Sequence, residues 1–333
     1  MQHGSRTPAA DVPLAVEGLT TSIRIAGRWF DAVRDVSFTV APRETLALVG
    51  ESGCGKSLTA LSIMGLLPAG VGRVSAGTIR VDGTDMTAAT EAVREDVRGD
   101  RIGMIFQEPM TSLNPVLPVG FQIGEALARH RGMDRKAARR RALELMELVR
   151  IPAAADRLDA YPHQFSGGMR QRVMIAIALA CSPRVLIADE PTTALDVTIQ
   201  AQVLALLAEL QRREGLAVLL ITHNLGVVAS VADRVMVMYG GDVVESAPVA
   251  AFFARPTHPY SEALLRAMPR VDRSAQDLAP IPGQVPTLPD MPAGCRFQSR
   301  CPLRVDRCAD RPPLAELPDA PGHAVRCWVR AAP

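Results

Sequence analysis

The stretch Gly50-Glu51-Ser52-Gly53-Cys54-Gly55-Lys56-Ser57 constrains this chain more than any other, because it fits the pattern G-x-x-x-x-G-K-[ST]. Residues 45–49 before it form an apolar run bounded by charge and glycine, which suits a buried strand. Residues 56–67 after it read as a helix stopped by Pro68. Glycines in such a loop let successive backbone N–H groups curl inward toward phosphate oxygens, and the following helix adds its positive N-terminal end. Of the 37 basic residues only Lys56 and Lys136 are lysines, so a compact ammonium at this point is informative. The pattern assigns residues 50–57 to a triphosphate tail, with Lys56 on the β- and γ-phosphates and Ser57 Oγ as a ligand to Mg²⁺.

A second element completes that chemistry. Residues 185–188 are apolar and lead into Asp189-Glu190. A strand ending in Asp189 presents a carboxylate toward Mg²⁺, and Glu190 can polarise an attacking water. Alone, two acids at a strand end are equally well read as a surface turn.

Around these motifs the pattern alternates. Residues 14–19, 36–40 and 78–81 read as short strands, the first two separated by Gly27 and followed by Pro42. Residues 87–164 are helical and charged. Beyond Ser166 an apolar helix to Ala180, a helix over 199–213 and a strand over 217–221 predict a parallel α/β sheet with a helical insertion. After Pro256 proline density rises, with Pro280, Pro282, Pro286, Pro289 and Pro292, marking a linker into a small C-terminal module.

Composition excludes several functions. A net charge of +2 and 4% aromatic residues give no reason to expect nucleic acid, and the basic run over 135–150 reads as a solvated helix face. Residues 1–12 lack a signal-peptide core, and no apolar run approaches the ~18 residues needed to span a bilayer. The chain reads as soluble, with any membrane role reached through a partner.

Phe165-Ser166-Gly167-Gly168-Met169-Arg170-Gln171-Arg172 opens the long helix, with Ser166 as N-cap and two glycines permitting close approach of a phosphate. The chain therefore carries two anion-binding helix starts for one triphosphate. In isolation the second would be a plain capped helix. The stretch resembles the Leu-Ser-Gly-Gly-Gln signature of ABC ATPases, with Phe165 and Met169 as departures. Gln107 is similar to the family's Q-loop, Ala194-Leu195-Asp196 to its D-loop and His223 to its switch histidine. The resemblance covers about residues 12–260.

It implies a P-loop NTPase: a RecA-like α/β core (about 12–86 and 165–262) with an antiparallel β subdomain and an inserted helical subdomain (about 87–164). Residues 263–333 follow as a proline-rich extension. It also implies that two subunits bind head to tail, so that Ser166, Gly167, Gly168 and Met169 of one meet the ATP held by the other. Glu190 then orients water, His223 contacts the γ-phosphate, and Gln107, a further Mg²⁺ ligand, faces the membrane partner. Met169 lacks the hydrogen bonds of the usual glutamine. Trp29 and Phe30 are the nearby aromatics for an adenine contact, with core packing as the alternative.

Six cysteines divide unevenly. Cys54 lies in the loop and Cys181 reads as a buried helix end. Cys295, Cys301, Cys308 and Cys327 cluster late, in a module too small for a large core, which points to a metal staple with wider spacing than common zinc sites. Disulfides are not expected in a cytosolic ATPase. The surrounding Ile281-Pro282-Gly283, Gly294-Cys295-Arg296-Phe297 and Arg300-Cys301-Pro302, with His323, resemble the extension of oligopeptide and dipeptide importer ATPases, as do residues 107–115 and Tyr161-Pro162-His163-Gln164. That resemblance implies a [4Fe–4S] cluster on the four cysteines; zinc and free thiols remain the alternatives.

The expectation is an ATP-hydrolysing subunit of a peptide or nickel importer at the cytoplasmic face of the inner membrane. It would work with a second ATPase subunit, two transmembrane permeases and an extracytoplasmic binding protein. A non-transport ABC ATPase of DNA repair or translation would carry two ATPase units or a long coiled coil, and this chain shows neither. A regulatory protein with a degenerate ATPase is opposed by Lys56, Asp189, Glu190 and His223.

Overall fold

A computed structural model describes residues 12–108, 112–193, 195–268 and 281–331. These residues divide into two compact units. One comprises residues 16–38, 45–78, 221–268 and 281–331; the other comprises 12–15, 39–44, 79–108, 112–193 and 195–220.

The first unit begins with two long strands, β1 (Leu14–Ile25) and β2 (Arg28–Val40). Gly27 does not break a strand, as the sequence suggested. With Ala26 it makes the tight turn between them, φ 81° and 48°, the left-handed pair that matches strand twist in a two-residue hairpin. Next come the fully buried β3 (Thr45–Val49), α1 (Lys56–Met64) and β4 (Gly72–Val81). Helix α1 stops at a left-handed Gly65 rather than at Pro68. β2, β1 and β4 lie side by side in one sheet.

The second unit starts with β5 (Thr84–Asp85), which pairs with the end of β4 across the Asp82-Gly83 turn. Helix α2 (Glu91–Val97), capped by Thr90, precedes β6 (Ile102–Ile105), every residue of which is buried. The sequence hid β6 inside a stretch read as helical, because four apolar residues carry no period of their own. Helices α3 (Val119–Arg131) and α4 (Arg135–Leu148) pack on each other and, past the short α5 (Ala154–Arg157), on α6 (Gly167–Ala178). The basic run of α4 buries Ala138, Ala142, Leu145 and Met146 and leaves its arginines outward, Arg139 paired with Asp159. β7 (Val185–Asp189) runs parallel to β6, and α7 (Val197–Glu214) leads to β8 (Ala217–Thr222), the neighbour of β7.

The chain returns to the first unit through α8 (Leu225–Val231) and β9 (Arg234–Tyr239), which pairs parallel with β3. β10 (Asp242–Pro248), α9 (Val249–Ala254) and α10 (Pro259–Arg266) follow. The C-terminal region is more than a linker with a module. Its strands β11 (Ala315–Leu317) and β12 (Ala320–Val325) join the sheet, giving the order β11-β12-β10-β9-β3. Val325 and Ala324 pair with Glu245 and Ser246. Phe297 enters the core formed by Val49, Val237, Tyr239, Phe252 and Tyr260, with Tyr239, Tyr260 and Phe297 edge-on or tilted to one another. Pro280, expected in the linker, lies outside the described residues.

Candidate nucleotide site

In the first unit the loop at 50–57 follows buried β3 directly. Gly50 has φ 155°, and a Cβ there would sit 2.2 Å from the Met238 carbonyl oxygen and 2.8 Å from Cys54 Sγ. Only glycine admits so close an approach. Gly53 and Gly55 have φ 78° and 106°. Gly55 is the N-cap of α1 and supplies no side-chain cap, and the first turn holds no acid, so the helix start keeps its electropositive character. Lys56 is 5% exposed. Its Nζ donates to the Gly50 carbonyl at 2.9 Å and the Glu51 carbonyl at 3.0 Å, arching back over the loop. Ser52 and Gly53 are exposed and Ser57 is half-buried. Burial pushes the Cys54 thiol above its ordinary range, so this cysteine is a neutral packing group.

Two residues that sequence reasoning missed hold the loop's Glu51. Its backbone N–H donates to Tyr260 Oη at 2.9 Å, and its carboxylate pairs with Arg300 at 2.7 Å. The stretch Thr257-His258-Pro259-Tyr260 is a readable helix start, with proline at the first position. Nothing local in it points to the loop.

His223 ends the same segment as β8, exposed, between buried Thr222 and Asn224. Asn224 caps α8 by accepting from Gly226 N (2.9 Å) and Val227 N (3.3 Å), while its own N–H donates to Thr222 Oγ1 at 3.0 Å. The strand-to-helix turn that carries His223 is therefore fixed on both sides.

In the second unit Asp189 ends β7 at 4% exposure. Glu190 follows with φ 47°, a left-handed conformation unusual for a glutamate. Its Oε2 accepts from Thr193 Oγ1 at 2.8 Å and from Gln107 Nε2 at 3.2 Å. Gln107 itself is exposed at the end of β6. Gln107 and Glu190 thus meet just beyond the ends of two adjacent parallel strands, one of which Asp189 terminates. Thr193 was not foreseen.

Ser166 caps α6, its Oγ accepting from Met169 N at 3.4 Å; Ser166 and Gly167 are exposed, Gly168 and Met169 half-buried. A Cβ on Gly168 would lie 2.6 Å from Ile199 Cγ2, and Arg157 Nη1 lies 3.3 Å from Met169 Sδ. Phe165 is buried. Of the expected D-loop, Leu195 lies 3.8 Å from a Cβ on Gly167 and Asp196 caps α7, whereas Ala194 is outside the described residues.

Core packing does not explain Trp29: it is 36% exposed, with Arg73 over its ring at 4.3 Å. Ser57 in the first unit, and Asp189 and Gln107 in the second, each carry a hard oxygen donor of the kind Mg²⁺ takes. The four late cysteines are free thiols near enough to influence one another, and burial, followed by those neighbours, pushes Cys295 up to about 11. Among the described residues, however, no three His, Cys, Asp or Glu side chains are gathered closely enough to hold a metal ion, so the implied ligand set is not formed.

Two family models match the chain. "ABC transporter" covers residues 33–193, and "Oligopeptide/dipeptide transporter, C-terminal region" covers residues 244–308. The dipeptide transport ATP-binding protein DppD of Bacillus subtilis (strain 168) is 51% identical over 317 residues, 95% of this chain and 94% of that protein. The oligopeptide transport ATP-binding protein AppD of the same organism is 52% identical, with 90% of each covered. Among solved structures, the ATP-binding cassette MJ0796, dimeric in a post-hydrolysis state bound to ADP and phosphate, superposes with a TM-score of 0.64. It is 27% identical, covering 71% of this chain and 98% of that one.

Proposed function

The chain belongs to the ABC transporter ATP-binding proteins of the oligopeptide/dipeptide branch and is an ATPase, and on that premise we propose that it powers import of small peptides. The observation that carries the reading is the loop at 50–57, with Lys56 Nζ held by two of the loop's own backbone carbonyls at 2.9 and 3.0 Å and by the longer contact to Cys54 Sγ at 3.8 Å. A cation so placed can exchange carbonyl oxygens for phosphate oxygens without leaving the loop.

Residues 50–57 hold the triphosphate, and Lys56 neutralises charge on the β- and γ-phosphates. Ser57, Asp189 and Gln107 would hold Mg²⁺, which when bound would further neutralise the phosphate oxygens. Glu190 orients the water that displaces ADP from the γ-phosphorus, and its strained backbone and two donors fix the carboxylate for that task. Gln107 donates to that same oxygen, so displacement of its segment alters the base directly. His223 contacts the γ-phosphate. Ser166, Gly167, Gly168 and Met169 serve the nucleotide of a second ATPase subunit, which accounts for the surplus helix start.

Residues 12–262 act as the ATPase domain and 263–333 as its extension. The exposed Val116 (74%) and Phe121 (55%), in the unit of Gln107, offer apolar contacts to two permease subunits, which receive peptide from an extracytoplasmic binding protein. No helix among the described residues is long and apolar enough to cross a membrane, in keeping with peripheral attachment at the cytoplasmic face. Were a [4Fe–4S] cluster bound, Cys295, Cys301, Cys308 and Cys327 would hold it, after closing in from an arrangement that gathers no such ligand set among the described residues. Iron and sulfide analysis of anaerobically purified protein tests it; zinc alone overturns it.

The functional test is peptide uptake with ATP hydrolysis in reconstituted vesicles. Lys56→Ala and Glu190→Gln each abolish both, with a loss of about 10²–10⁴-fold in hydrolysis for Glu190→Gln. Retained hydrolysis in Glu190→Gln refutes the assigned base.

A further inference from the structure

We infer that Arg300 and Tyr260 are positioning residues for ATP binding, which hold the phosphate loop by both ends of one residue, Glu51. The inference rests on the reading that residues 50–57 cradle the triphosphate.

Glu51 follows the first glycine of the loop, and its carbonyl receives Lys56 Nζ at 3.0 Å. Its carboxylate would stand beside a polyanion, an unfavourable place for a bare negative charge. Arg300 answers it with two hydrogen bonds to the two carboxylate oxygens, Nη1 at 2.7 Å and Nη2 at 3.3 Å. The guanidinium is itself immobilised. Its side chain is 4% exposed, Nε donates to the Pro282 carbonyl at 2.8 Å, Nη2 donates to the Ile281 carbonyl at 3.1 Å, and its Cζ lies 5.8 Å from the Tyr239 ring centre. A fork so held fixes direction as well as charge.

The backbone of Glu51 is tied separately. Its N–H donates to Tyr260 Oη at 2.9 Å, and Tyr260 is fully buried in the aromatic core with Tyr239 and Phe297. The base of that tether is rigid as well. Tyr260 N donates to His258 Nδ1 at 3.1 Å, and the N–H groups of Thr257 and His258 donate to buried Glu245 at 2.8 and 2.7 Å. Glu245 also meets His323 of β12 at 2.7 Å. The C-terminal region therefore reaches the phosphate loop by two routes, one through Arg300 and one through His323, Glu245 and Tyr260. Glu51 keeps its carboxylate turned onto Arg300, and the Glu51 carbonyl stays set for Lys56.

The test uses the full-length chain assembled with its permeases, measuring ATP hydrolysis against MgATP concentration. Arg300→Gln raises KM for ATP about five- to tenfold with kcat within about twofold, the scale of a lost charge-assisted hydrogen bond beside a ligand. Arg300→Lys, which keeps the charge, restores most of the affinity. The double variant Glu51→Gln/Arg300→Gln also recovers affinity, because the uncompensated carboxylate is gone. Tyr260→Phe, which keeps the packing, raises KM in the same direction by a smaller factor. Lys56→Ala serves as the separate check on the loop: unchanged ATP binding there removes the underlying reading. If Lys56→Ala loses ATP while folded Arg300→Gln and Tyr260→Phe keep the parental KM, the positioning role is refuted and the loop reading stands. A fall in kcat and melting temperature with unchanged KM refutes it equally, since that marks a merely structural link.

Discussion

Glu245→Gln is the perturbation whose cost the structure specifies most closely. Glu245 is 0% exposed. Its Oε1 meets His323 Nε2 at 2.7 Å and accepts from Thr257 N at 2.8 Å; Oε2 accepts from His258 N at 2.7 Å. A glutamine of the same shape has one acceptor oxygen, so its amide must face one of the two backbone N–H groups, donor against donor. One buried N–H then loses its acceptor, and the remaining bonds lose their charge assistance. The expected cost is about 2–4 kcal/mol. Glu245→Ala, which orphans every donor, should cost more. Urea unfolding followed by tryptophan fluorescence is a suitable assay, because both Trp29 and Trp328 belong to the same compact unit as Glu245. A Glu245→Gln protein within about 0.5 kcal/mol of the parent would refute the reasoning, since that is the scale of an ordinary surface substitution.

Other outcomes follow from neighbouring residues. Burial pushes His258 down to about 4 from an ordinary value near 6.5, so the unfolded chain binds a proton in that window and the folded chain does not. Stability should fall by about 3 kcal/mol as pH drops from 7 to 4 on this account, partly relieved in His258→Asn, as urea midpoints across pH will show. Gly50→Ala should cripple ATP binding, because its Cβ would sit 2.2 Å from the Met238 carbonyl oxygen; a nucleotide titration checks it. Thr193→Val frees one donor from Glu190 Oε2 and should lower kcat by about tenfold with KM unchanged, read from steady-state hydrolysis.

What the sequence made legible was local. The loop at 50–57 declares itself because glycine, lysine and serine spacing encodes backbone geometry within a single turn, and the Ser166 cap is equally self-contained. The hairpin of β1 and β2 was read too short because Gly27 serves equally as a breaker and as a turn. Strand β6 was missed because four buried residues leave no periodic trace. The roles of Arg300, Tyr260 and Glu245 were invisible for another reason: each matters through a partner far away in the chain, and although Arg300-Cys301-Pro302 stood out as a motif, no residue pattern near it names Glu51. The same holds for β12, whose pairing with β10 is a long-range choice made by burial of Val325 and His323. The cysteines show the converse. Their clustering was plain in the sequence while cluster, zinc and free thiols all stayed open, and among the described residues the thiols come into mutual influence, yet not into a ligand set.

The central claim is that residues 50–57 of one copy and Ser166–Gly168 of a second enclose the same triphosphate. The most direct measurement is a cryo-electron microscopy structure of the assembled Glu190→Gln transporter trapped with MgATP. The account predicts the Ser166 hydroxyl and the α6 N-terminal N–H groups within about 3 Å of γ-phosphate oxygens bound by the opposite Lys56. Nucleotide held at residues 50–57 with every Ser166 far from phosphate would contradict it.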